Sequence, residues 1–142
     1  MSEFYRYFKE NMEALGLIAP PESLYGSQAL AISTISTILA TIDKFGTKVT
    51  VRELAGAGTR LEALAVLGAL GASYYAGAVI GSLAVATGRT ISGGTSIGDV
   101  LYEVSKRGWN RDWLTSLFHR RPGLYDSSAS GRKYIKHYEN FK

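Results

Sequence analysis

From Ala63 to Gly88 the chain runs 26 residues without a charged side chain. Its second part, ALGASYYAGAVIGSLAVATG, starts at Ala69. A helix that is apolar nearly all round has to be buried, either in a protein core or in lipid. Ala65, Ala69, Ser73, Gly77 and Gly81 recur every four positions, which places them on one side of a helix as a smooth ridge. Gly77 and Gly81 form a G-x-x-x-G pair, which lets another helix come close. Leu64, Leu67, Leu70, Val79, Ile80 and Leu83 cover the other directions.

A second uncharged stretch, SLYGSQALAISTISTILATI, occupies residues 23–42. Twenty helical residues reach about 30 Å, the depth of a bilayer's hydrocarbon core. Ser27, Gln28, Ser33, Thr34, Ser36, Thr37 and Thr41 interrupt it. Ala29, Ser33, Thr37 and Thr41 form a small, partly hydroxylated stripe. In a pore these residues would face the axis, and the hydroxyls of Ser33, Thr37 and Thr41 would offer neutral oxygens to an ion. Asp43, Lys44 and Glu62 would then stand at its mouths. The alternative for each hydroxyl is a bond back to its own helix.

The remaining segments read as shorter pieces. Residues 3–15 are amphipathic, with Phe4, Tyr7, Phe8, Met12 and Leu15 on one side and a stop at Gly16. The connector 43–62 is charged, and Thr50 with Glu53 fits a capping box. GRTISGGTSIGD, residues 88–99, is a turn-rich loop, after which Ser96 and Asp99 start a helix that Gly108 interrupts. NRDWLTSLF, residues 110–118, reads as an amphipathic helix capped by Asn110.

Charge is uneven. Residues 1–105 carry seven basic and nine acidic side chains, net −2; residues 106–142 carry nine and three, net +6. The organisation expected is a helical domain over 1–118, with hydrophobic segments 23–42 and 63–88, followed by a basic tail over 119–142. The fold class expected is all-α: two long apolar helices in a glycine-zipper-like hairpin, flanked by short amphipathic helices. The competing arrangement is a soluble all-α domain with the two long helices at its centre.

The chain has no Cys and two His, His119 and His137. Disulfides and thiolate chemistry are excluded. No zinc-protease, nucleophile-elbow or P-loop motif occurs. No cofactor, no metal site and no catalytic residue is expected. An enzyme would have to work through His119 or His137 with Asp126, and GRTISGGTS could cradle an anion through its amides. Arg120, Arg121, Arg132, Lys133 and Lys136 interleave with Tyr125, Tyr134 and Tyr138. Such a surface could meet phosphates, although it leaves the two apolar stretches unexplained and no nucleic-acid partner is expected. Trp109 and Trp113, with Arg120 and Arg121, would suit a membrane interface. Each Trp has a core anchor as its alternative.

SEFYRYFKENMEALGL, the Ser/Thr-rich stretch 23–42 and LGALGASYYAGAVIGSLAVATGRTISGGTS together resemble small effectors of the bacterial type VI secretion system. The resemblance covers most of residues 1–105. It implies a glycine-zipper hairpin, with Ala69, Ser73, Gly77 and Gly81 as the helix-packing zipper. It implies a secreted antibacterial toxin that self-associates in a competitor's inner membrane, contacts its lipid and conducts ions. Its partners would be the lumen of the secretion tube protein and a cognate immunity membrane protein. It would be cytoplasmic before export without a signal peptide, an expectation that the charged N-terminal helix fits.

Overall fold

The computed structural model describes residues 2–18, 21–56, 70–91 and 96–126. The helices are α1 (Glu3–Ala14), α2 (Glu22–Tyr25), α3 (Gln28–Phe45), α4 (Val51–Gly56), α5 (Ala72–Ile91), α6 (Ile97–Lys106) and α7 (Asp112–Arg120), followed by a 3-10 turn, Pro122–Leu124. No strand is found among the described residues, only an isolated bridge between Thr50 and Gly71.

Backbone chemistry sets the helix ends. α1 starts on Ser2, whose hydroxyl accepts from Tyr5 N at 3.0 Å. It ends where Gly16 turns to φ 84°, with Leu17 N bonded to Met12 O and Gly16 N to Glu13 O. That is a Schellman motif, which favours glycine at the left-handed position. α6 ends the same way at Gly108, φ 72°, and the turn carries Trp109 back towards the core. Ser96 and Asp99 close a capping box on α6, and Thr50 and Glu53 close one on α4. α7 starts one residue later than Asn110 suggests: Arg111 is its N-cap, without a side-chain bond.

Both uncharged stretches are broken by local structure. In the first, α2 ends at Tyr25, and Ser27 is extended and caps α3 by accepting from Leu30 N at 3.2 Å. α3 therefore shifts towards the charged end and takes in Asp43 and Lys44. In the second, Leu70 O accepts from Val51 N and Ala72 N donates to Val49 O, so α5 starts only at Ala72. Residues 63–69, including Ala69 of the expected zipper, lie outside the described residues.

α5 is the centre of the domain. Every residue from Tyr75 to Ala86 is buried. α1, α3, α4, α6, α7 and the 3-10 turn all pack on it. This enclosure explains why the stretch from Tyr75 to Ala86 carries no charge: other helices and the 3-10 turn pack around it. Fully burying side chains such as Val79, Ile80 and Leu83 contributes about 1.5–3 kcal/mol each. Phe8 stacks on Tyr25 at 4.8 Å between ring centroids, and the Tyr25 and Tyr75 hydroxyls meet at 3.1 Å in the same core.

The expected membrane hairpin is overturned. No helix among the described residues is long and apolar enough to cross a membrane. The all-α class stands, but the long apolar helix is the core of a compact bundle. With the hairpin go the pore, the self-association in an inserted state, the toxin activity that depends on them and the place in a target-cell membrane.

Candidate functional site

The residues expected to line a pore lie on the outer side of α3. Ala29, Ser33 and Thr37 are exposed and Thr41 is half-buried. Thr37 Oγ1 donates to Ser33 O at 3.1 Å and Thr41 Oγ1 to Thr37 O at 2.7 Å. These hydroxyls satisfy themselves within their own helix, as Ser and Thr do when they sit mid-helix. Of the two pore-mouth residues within the described chain, Asp43 is paired with Arg111, and Lys44 stands over the Phe45 ring. Glu62 lies outside the described residues.

The glycine ridge has an occupant in the same chain. A β-carbon on Gly77 would run into the Leu117 side chain of α7; one on Gly81 would run into the Leu124 backbone carbonyl of the 3-10 turn. Gly77 and Gly81 thus seat the C-terminal strap, not a second long helix. Ser73 stands apart from that seat and donates to Thr47 O at 2.6 Å. Asn11 locks the strap from the other side: its Nδ2 donates to Ser82 Oγ and to Leu124 O, both at 2.9 Å.

The structure places Trp109 in the core and Trp113 at its edge. Trp109 is 3% exposed, and its Nε1 donates to Ser36 Oγ at 3.1 Å. Trp113 is half-buried and packs against the core. Leu124 and Tyr125 are buried too, with Tyr125 edge-on to Phe118. Residues 119–126, the first part of the expected tail, thus include the end of α7 and a 3-10 turn whose Leu124 is buried; residues 127–142 lie outside the described residues.

The four arginines between Ser96 and Asp126 divide into two pairs. Arg107 Nη2 lies 2.9 Å from Glu103 Oε2, and Glu103 is only 6% exposed. Arg111 takes Asp43 with two nitrogens, Nε to Oδ1 at 2.9 Å and Nη2 to Oδ2 at 2.6 Å, and its Nη1 donates to Trp109 O. The hydrogen bonds from Arg111 hold the Asp43 carboxyl below its ordinary value. Arg120 and Arg121 differ. Both are exposed, and among the described residues no carboxylate pairs with either. Arg120 Nε reaches Ser116 Oγ at 3.4 Å, and the Arg121 guanidinium carbon stands 5.9 Å from the centre of the Tyr74 ring. His119 beside them is exposed as well. Their place in and just after the last turn of α7 is itself favourable, because a helix C-terminus carries partial negative charge.

The sequence singles out Arg120 and Arg121 but misses the groups that hold them. Ser116 is detectable as the residue four before Arg120; nothing local marks Tyr74, 47 positions before Arg121. Of the residues an enzyme would use, only His119 and Asp126 lie within the described residues. His119 is exposed and Asp126 half-buried, while His137 and loop residues 92–95 lie outside the described residues. No group of three or more His, Cys, Asp or Glu able to hold a metal occurs among the described residues. Among known proteins, no family model, no curated protein and no solved structure matches the chain.

Proposed function

We propose that this chain is an all-helical binding protein that engages an anionic partner through its basic C-terminal region. One observation carries the reading. Arg120 and Arg121 stand exposed at the end of α7 with no carboxylate paired to either among the described residues, whereas Arg107 and Arg111 upstream are both neutralised. The chain then leads into 127–142, which contains Arg132, Lys133, Lys136 and Lys142 against Glu139. Unneutralised charge of one sign attracts an anionic surface over about a Debye length, ~8 Å at physiological salt.

The test is fluorescence anisotropy of labelled polyanions, an oligonucleotide and a glutamate-rich peptide, titrated with the full chain at rising salt. At least one is expected to bind at low salt and to weaken steadily as salt rises. The double variant Arg120→Glu/Arg121→Glu should weaken it by about tenfold or more. Absence of binding to both probes at low salt would overturn the reading.

The resemblance to small type VI effectors contributes one proposal on partners that does not need a pore: carriage by the ring-shaped tube protein. A chain of 15.4 kDa whose described helices pack on one central helix supports it. Co-elution of the chain with purified rings is the expected result, and separate elution would remove it.

A further inference from the structure

The two arginines at the end of α7 each have a neutral neighbour. Arg120 is held at Nε by Ser116, one helical turn back, and Arg121 rests near the Tyr74 ring of α5. Both supports are neutral. They leave the charge available, with the terminal nitrogens of Arg120 unbonded to any described carboxylate. A few residues away, Arg111 shows what such a group does when a carboxylate reaches it: two parallel N–H···O bonds to Asp43. Guanidinium and carboxylate match in this two-point geometry, which an ammonium cannot reproduce.

Resting on the function proposed above, we propose that Arg120 and Arg121 recognise carboxylates by two-point pairing, Arg120 through its two terminal nitrogens because its Nε donates to Ser116, and that the partner is an acidic polypeptide. The neighbouring aromatic rings favour a polypeptide over a single-stranded nucleic acid. Single strands are held by aromatic faces on which bases stack. Here Tyr125 is 7% exposed and turned edge-on to Phe118, and the Tyr74 ring is beneath Arg121. Of these two rings, Tyr125 is buried and Tyr74 half-buried, so neither stands exposed beside the arginines.

The experiment compares a labelled glutamate-rich peptide with a single-stranded oligonucleotide of equal charge, using the full chain and two double variants. Arg120→Lys/Arg121→Lys keeps the charge and removes the fork; Arg120→Gln/Arg121→Gln removes both. Because both side chains are exposed, the folds are expected to survive, and helical circular dichroism verifies this. The peptide should bind more tightly than the oligonucleotide. The lysine variant should lose about tenfold in affinity and the glutamine variant more. Equal affinity of the lysine variant and the parent would overturn two-point recognition while leaving a basic binding region in place. Equal or tighter binding of the oligonucleotide would overturn the polypeptide partner. Silence of both probes would overturn the binding function itself.

Discussion

The side-chain amide of Asn11 donates a 2.9 Å hydrogen bond to the carbonyl oxygen of Leu124, 113 residues further along the chain. The same nitrogen donates to Ser82 Oγ. One buried amide thus joins α1, the central helix and the C-terminal strap. Removing it leaves the Leu124 carbonyl without this donor in a buried site, at a cost of about 1–3 kcal/mol. Asn11→Leu should lower the stability measured by urea unfolding by that amount. Asn11→Asp should be worse at neutral pH, because a carboxylate would then face a carbonyl oxygen. Stability equal to the parent in both variants would show that the bridge contributes nothing.

The two glycines of the ridge should respond differently to alanine. At Gly77 the added methyl meets the end of the Leu117 side chain, which can turn aside. The gain in helix propensity, about 1 kcal/mol, then offsets the crowding. At Gly81 it meets the backbone of Leu124, which the Asn11 bridge fixes. Gly81→Ala is therefore expected to destabilise by about 1–3 kcal/mol net and Gly77→Ala by clearly less. Thermal unfolding of the two variants side by side decides this. A larger loss at Gly77 would mean that the strap is free to move over Gly81.

Asp43 and Arg111 should contribute to the acid limb of the stability curve. The hydrogen bonds from Arg111 lower the Asp43 carboxyl below its ordinary value of 3.8. Its folded value is below its unfolded one, so the stabilisation is complete above the ordinary value and is lost as pH falls through the lower folded value. The Asp43 side chain is 51% exposed, so solvent limits the effect to about 1 kcal/mol or less. Asp43→Asn should cost that amount at pH 7, and the gap from the parent should close in strong acid. A gap that stays constant down to strong acid would assign the effect to packing.

Helix ends are written locally. Gly16, Gly108, the Ser96–Asp99 pair and the Thr50–Glu53 pair can all be read as stops and starts from spacing alone. Whether a helix crosses lipid or fills a core cannot be read this way, because the two solvents ask for the same apolar surface. What decides it here lies far along the chain. Val49 and Val51 bond Ala72 and Leu70 and delay the start of α5. The extended Ser27 shortens α3, although within an uncharged run a serine looks like one more span residue. The ridge of Gly77 and Gly81 is visible in the sequence; its occupants, Leu117 and Leu124, are not. At the candidate site the sequence names Arg120 and Arg121. That Arg107 is neutralised could be read from Glu103 four positions before it. That Arg111 is neutralised could not, since Asp43 is 68 positions away.

The seat of Leu124 on Gly81 also sets an order of events during synthesis. Chains emerge from their N-terminus at about 5–20 residues per second, so α1 and α5 are available seconds before the strap. Until Leu117 and Leu124 arrive, Gly77 and Gly81 line an uncovered apolar trough, and the Asn11 amide lacks its Leu124 acceptor. The nascent domain therefore cannot finish its core on the N-terminal helices alone. The core is closed by a turn of three residues, Pro122–Leu124, that is made after the helices it packs upon.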